Sequence, residues 1–259
     1  IGVVEVRALR HAMASNAGFE IWGPWDDRDA VRRAILDAGD PYGIRRLGEK
    51  SYKAQGSEKG WIARPLPAIF GESMAAYREW LDADGYEATS TLGGSFDPDD
   101  VSAYYLNPIE LGYERFVDFD HEFVGRAALS EMVDRPHREK VTLVWDDDDV
   151  IELFASLFRD GKTYKYLDLS MPYWAVFHYD EVRSGDETVG LSKYFGYTYN
   201  ERSVLSLAVV DPEYADPGTE VTLVWGEPGG SAPNPKVEDH VQTAVTATVA
   251  PNPYVDLDG

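Results

Sequence analysis

The chain of 259 residues contains no cysteine, which excludes disulfides, thiolate nucleophiles and cysteine-ligated metals. It is also poor in positive charge. Lys and Arg number 24 against 46 Asp and Glu, a formal charge of −22. Nucleic acid and anionic membranes are therefore excluded as partners of the surface at large, because their phosphates would be repelled. Runs of about 18 apolar residues are missing, so no transmembrane helix is expected, and the lack of cysteine suits a cytoplasmic location. The chain opens at Ile1 without an initiator Met or a basic-plus-apolar leader, as expected of a processed or truncated chain. The five histidines (His11, His121, His137, His178 and His240) show no metal-ligand spacing, and no metal is expected. Phosphate-binding Gly-rich loops and nucleophile elbows are missing as well.

What remains is an α+β pattern. Val3–Leu9 is β-branched and partly alternating, which predicts a strand; Arg10–Ala17 is a connection and Gly18–Trp22 a second strand. Asp26 or Asp27 can cap a helix carrying Val31, Ala34, Ile35 and Ala38 at helical spacing, with Gly39 as its stop. A shorter helix is expected through Ile44, Leu47 and Tyr52 toward Gly56, and further helices over Glu72–Leu81 and Val124–Met132. Phe116–Phe119 is strand-like. From Lys140 onward, strands recur between turns: Val141–Trp145, Trp174–Phe177, Val204–Val210, Glu220–Val224 and Thr243–Val249. That spacing predicts a C-terminal antiparallel barrel or sandwich. The acidic run Asp146–Asp149 reads as a solvated turn, and Asp118 and Asp120 as surface charges. The expected organisation is a partial α/β region over 1–95, a connecting segment over 96–138 and the barrel over 139–259.

One carboxylate stands out. Glu20 lies inside the apolar run Gly18-Phe19-Glu20-Ile21-Trp22, where burial would demand a partner. Tyr52 and Trp61 bracket a small, charged stretch about forty residues on. A carboxylate, a phenol and an indole suit a flat heteroaromatic ligand with paired N–H donors. They equally suit a core glutamate held by backbone amides or an arginine, beside two core aromatics.

The order of segments carries a resemblance. Ala8 through Ile21, Asn107-Pro108-Ile109-Glu110-Leu111-Gly112-Tyr113 with Phe119 through Leu129, and Val189 through Val221 resemble consecutive stretches of the aminomethyltransferase (glycine-cleavage T-protein) superfamily. Met13, Ala14 and Ser15 stand where aminomethyltransferases proper carry Tyr and Thr-Gly. Phe19 through Pro24, Gly43 through Gly48 and Ser51-Tyr52 are instead similar to the tetrahydrofolate-dependent aryl O-demethylases of the vanillate and syringate type. That resemblance implies tetrahydrofolate as cofactor, held by Glu20, Trp61 and Trp22, and Tyr52 as the residue assisting the departing phenoxide. It implies a methoxylated aromatic acid as methyl donor, and a partner in the form of an N-terminal half or a second copy. Aminomethyl transfer in glycine cleavage, a non-catalytic folate-binding relative and an inactive fragment stay open as alternatives.

Overall fold

The computed structural model describes residues 1–14, 16–62, 65–169, 177–231 and 234–255, with the backbone alone for 11–14, 16 and 17. Its centre of mass in packing terms is a closed antiparallel barrel of six strands. These are β4 (Glu139–Trp145), β6 (Asp180–Ser184), β7 (Glu187–Thr198), β8 (Ser203–Val210), β9 (Glu220–Trp225) and β10 (Thr243–Ala250), ordered β10-β4-β8-β7-β6-β9. Closure is made where Val182 of β6 pairs with Leu223 of β9. A closed barrel leaves no strand edge without a partner.

Two burial patterns distinguish the strands. On β10, Val245, Ala247 and Val249 are buried while the residues between them are not, so one face meets the core and the other meets solvent. On β8 every residue from Val204 to Val210 is buried. Its even-numbered residues Val204, Ala208 and Val210 join the barrel interior with Leu143, Trp145, Phe195 and Trp225. Its odd-numbered residues face outward and are also covered: Leu207 packs with Ile62 and Leu111, and Val209 with Leu66, Tyr104 and Tyr179. Each fully buried aliphatic side chain contributes on the order of 1.5–3 kcal/mol. Ser206 is the polar exception inside, and it is satisfied. Its hydroxyl accepts from Trp145 Nε1 at 3.0 Å and lies 2.8 Å from Ser192 Oγ.

The covering layer begins with α2 (Glu49–Lys59), laid across β7 and β8 on a face of small residues, Ala54, Gly56 and Ser57. Gly56 permits the approach: a Cβ there would sit 2.5 Å from Tyr194 Cε1. Tyr194 occupies an irregularity of β7 between Lys193 and Gly196, with φ of 60°, and donates its hydroxyl to Lys53 O at 3.3 Å. Three short helices follow: α3 (Ala75–Trp80), preceded by a 3-10 turn over Glu72–Met74, α4 (Tyr86–Thr89) and α5 (Arg126–Val133). A two-residue parallel pair joins β3 (Leu92–Gly93) to β5 (Phe177–His178).

Ahead of α2 the chain forms a separate antiparallel hairpin, β1 (Arg7–Ala14) with β2 (Asn16–Trp22), then α1 (Arg28–Gly39), which has no buried residue. No described helix is long and apolar enough to cross a membrane.

Several local expectations are corrected. The first strand starts at Arg7, and the expected connection Arg10–Ala17 is mostly strand, because pairing across the hairpin outweighs the β-branched run at Val3–Val6. Ile44 and Leu47 precede α2 and lie outside it, since Gly43 takes φ of 71° and Gly48 is extended. Phe116–Phe119 is no strand; Glu114–Phe116 is a 3-10 turn. The run at Asp146–Asp149 is no simple turn. Asp146 caps α6 (Asp147–Ser156) by accepting from the amides of Asp148 and Asp149 at 3.0 Å each. Of the strand expected over Trp174–Phe177, residues 174–176 lie outside the described residues.

Candidate functional site

The end of α2 places Trp61. Gly60 takes the left-handed conformation, φ 71°, and its amide donates to Gly56 O, which stops the helix just before Trp61. Trp61 then forms one wall of a cleft of about 1090 Å³. Further walls come from the turn through Ile109 and Gly112–Phe116, from Val133 and His137–Lys140 at the entry to β4, and from Asn252 and Pro253.

The turn is rigid for reasons visible in its sequence. Asn107 Oδ1 accepts from the amides of Ile109 (2.9 Å) and Glu110 (3.1 Å), and its Nδ2 donates to Glu110 Oε2 at 2.7 Å. The buried Glu110 then takes Arg138 Nε at 2.6 Å on its other oxygen, tying the turn to the start of β4. Arg138 also reaches the carbonyls of Ala103 and Tyr105. This gives Asn107-Pro108-Ile109-Glu110 a structural role.

Lys140 is one of the residues that line the cleft. Its Nζ donates to Gly60 O at 2.9 Å and lies 4.8 Å from the centroid of the Tyr113 ring. Burial pulls its pKa down to about 8, with Glu114 opposing the fall and Arg115 adding to it. Burial likewise pushes the Tyr113 phenol up.

The four residues expected from sequence are not gathered into one pocket. Glu20 sits on β2 opposite Leu9, and Trp22 opposite Arg7. Tyr52 is on α2, 51 % exposed, and Trp61 is partly buried. Glu20, Trp22 and Tyr52 lie outside the lining of the Trp61 cleft. The expectation that the apolar run around Glu20 is packed is corrected: Phe19, Glu20, Ile21 and Trp22 are all exposed. A two-stranded ribbon has no third layer among the described residues, so its carboxylate keeps access to water and pays little desolvation.

A second polar cluster escaped the reading of the sequence. At one end of the barrel Lys165 Nζ meets Glu227 Oε1 at 2.6 Å, with both side chains buried. Glu227 Oε1 also accepts from the Gly94 amide at 3.1 Å, and the Glu227 amide donates to His240 Nε2 at 2.9 Å. Burial alone would raise the Glu227 carboxyl. The charge of Lys165, hydrogen bonds from Lys165 and Gly94, and His178 outweigh it and hold the carboxyl below its ordinary value. Nearby, His178 Nε2 lies 2.8 Å from Asp180 Oδ2, and Asp180 Oδ1 accepts from the Ser95 amide at 3.3 Å. The i, i+2 spacing of His178 and Asp180 on extended chain could have flagged that pair; nothing local links Lys165 to Glu227.

In overall structure the chain resembles the glycine cleavage system aminomethyltransferase T from Bartonella henselae, with a TM-score of 0.50 and 14 % identity over 96 % of this chain and 49 % of that one. The likeness shows the fold. No protein-family model matches the chain. Among curated proteins it is 43 % identical over 250 residues to a syringate O-demethylase from a Sphingobium species, spanning 96 % of this chain and 54 % of that protein. It is 32 % identical over 274 residues to a sesamin methylene transferase from a Sinomonas species, spanning 100 % of this chain and 58 % of that protein. The chain therefore spans about half the length of these relatives, and over that length it is similar in sequence to an O-demethylase and a methylene transferase and shares the fold of an aminomethyltransferase T.

Proposed function

We propose that this chain carries the folate-side portion of a tetrahydrofolate-dependent methyltransferase that demethylates a methoxylated aromatic acid. The observation that carries the reading is 43 % identity to a syringate O-demethylase across 96 % of the chain. The residues present fit a folate in part: an indole stands beside a cleft with cationic walls, which suits an aromatic amide bearing carboxylates. When bound, tetrahydrofolate supplies the nitrogen that takes up the methyl carbon.

The chain's own residues have distinct tasks in this reading. Glu20 accepts the paired N–H donors of the pterin edge, with Trp22 beside it on the same strand. Trp61 packs against the aminobenzoyl ring. Tyr52 donates its phenolic proton or hydrogen bond to the oxygen that leaves as the C–O bond breaks, an effect worth roughly 10²–10⁴-fold. Positioning of donor and acceptor supplies the remainder.

The test is to incubate the complete protein with tetrahydrofolate and syringate, following the released phenol and the modified folate by mass spectrometry. Equal amounts of demethylated acid and methyltetrahydrofolate support the reading; neither product on syringate or vanillate sinks it. The match to a sesamin methylene transferase over the whole chain favours a second reading, in which the transferred carbon is a methylene. The mass of the folate product separates the two.

A further inference from the structure

We infer that Tyr194 is a positioning residue for the reaction, holding α2 on the barrel at the angle that brings Tyr52 to the substrate. The inference rests on the demethylase reading above and deepens it by naming what seats the helix that carries Tyr52.

Tyr194 is a strained residue inside a strand. Its φ of 60° is a conformation that is unfavourable for a residue with a Cβ and free for glycine. Among the described residues the other non-glycine with positive φ is Arg202, in the turn between β7 and β8, where such values are common. The strain at Tyr194 belongs to a bulge. Lys193 pairs with Leu207, and Gly196 pairs with Leu205, where an unbroken register would place residue 195. The extra residue turns Phe195 into the barrel interior, its ring centroid 5.5 Å from that of Trp145 and 5.0 Å from that of Trp225. It leaves the Tyr194 side chain on the outer face, beside Leu207 and Ile62. A glycine would satisfy this backbone without strain, so the reason for a tyrosine lies in what its side chain meets.

What it meets is α2. The Tyr194 hydroxyl donates to Lys53 O at 3.3 Å, its carbonyl accepts from Ser57 Oγ at 3.0 Å, and its ring occupies the space that Gly56 leaves. These contacts fall on the middle of the helix, where Ala54, Gly56 and Ser57 are buried, whereas residues 49–52 of the first turn are exposed. Tyr52 therefore stands on an overhang whose angle is set at residues 53–57. Lys50 Nζ also reaches Leu169 O at 3.1 Å and Asp168 at 3.7 Å, but that tie is exposed and correspondingly weak. The far end of α2 is held separately. Glu58 O accepts from the amides of Tyr254 (3.0 Å) and Val255 (3.2 Å), and Gly60 O from Lys140 Nζ. Loss of the Tyr194 side chain thus frees the turn that carries Tyr52, while Trp61, just past Gly60, keeps its anchors.

The experiment compares Tyr194→Ala and Tyr194→Gly in the complete enzyme with syringate and tetrahydrofolate. Alanine keeps the backbone strain and glycine relieves it, so the glycine variant should have the higher urea midpoint of the two. Neither has the ring, so both should lose kcat alike, by about 10- to 100-fold, with KM for folate within about twofold. In a Tyr52→Phe background the loss from Tyr194→Ala should vanish, since a hydroxyl already removed cannot be misplaced. Losses of kcat that follow stability across Ala and Gly, or that multiply with Tyr52→Phe, would overturn the positioning role. Hydrogen exchange in the ligand-free protein gives a readout independent of turnover. The amides of residues 53–57 should exchange about tenfold faster or more in both variants, with β8 unchanged; unchanged exchange in α2 would also overturn the inference. Should both variants fail to fold, Tyr194→Leu, which keeps apolar contact with Leu207 and Ile62 but has no ring or hydroxyl, is read by the same criteria. Demethylation at the wild-type rate in all Tyr194 variants sinks this inference and leaves the activity reading standing. A wild-type protein that demethylates neither syringate nor vanillate sinks the activity reading and the role toward Tyr52 with it, while faster exchange in the variants still supports Tyr194 as the seat of α2.

Discussion

Glu227→Gln tests the buried ion pair at the end of the barrel. The carboxylate faces Lys165 Nζ at 2.6 Å in a site where the side chains are 1 % and 7 % exposed, and it accepts the Gly94 amide as well. An amide keeps the shape and an acceptor for Gly94, and removes the negative charge beside a buried ammonium. Removing one partner of a buried pair costs about 3–5 kcal/mol, against a total stability of roughly 5–15 kcal/mol for a domain. With a urea m-value of about 1–3 kcal/mol/M, the midpoint should drop by at least ~1 M. Trp225 is a convenient reporter, since Lys165 Nζ lies 5.2 Å from its ring centroid and Lys165 O accepts its indole N–H at 2.9 Å. Lys165→Met should cost a similar amount. The double variant removes both charges and should recover much of the loss, with a coupling of up to about 3 kcal/mol. The pH dependence has a definite sign. Because the folded carboxyl titrates below its ordinary value, its contribution is complete above that value and is lost as pH falls through the lower folded one. Glu227→Gln should therefore flatten the acid limb of a stability-versus-pH curve. Single-variant costs below about 1 kcal/mol, or costs that simply add in the double variant, would refute the argument.

Gly56→Ala should destabilise by about 1–2 kcal/mol despite the better helix propensity of alanine, because its Cβ meets Tyr194 Cε1 at 2.5 Å; a higher urea midpoint would show that α2 does not pack so closely. Tyr52→Phe in the complete enzyme should lower kcat by about a hundredfold with little change in KM for folate, the mark of an interaction made in the transition state; a loss of only a few-fold would remove Tyr52 from the chemistry. Glu20→Gln should weaken tetrahydrofolate by about 1.5–3 kcal/mol in calorimetry, and equal affinities would take Glu20 out of the site.

The sequence by itself determined four of the six barrel strands and the resemblance to the T-protein superfamily. β-branched runs separated by turns placed β4, β8, β9 and β10, because period-2 burial is written into neighbouring residues. The helical spacing of α1 and α5 was legible for the same local reason, whereas the aspartate expected to cap α1 makes no side-chain hydrogen bond to the helix. Tertiary structure alone decided what depends on pairing across distance. Val3–Val6 has strand composition and pairs with no strand among the described residues, while Arg7–His11 pairs across the hairpin. Glu20 has apolar neighbours in sequence and water in space, because burial depends on a covering layer that residue order does not announce. Lys165 and Glu227 stand 62 residues apart and meet only when β9 closes the barrel. The cationic cleft in an acidic chain is likewise assembled from distant segments, each with unremarkable local charge, and only their convergence concentrates it.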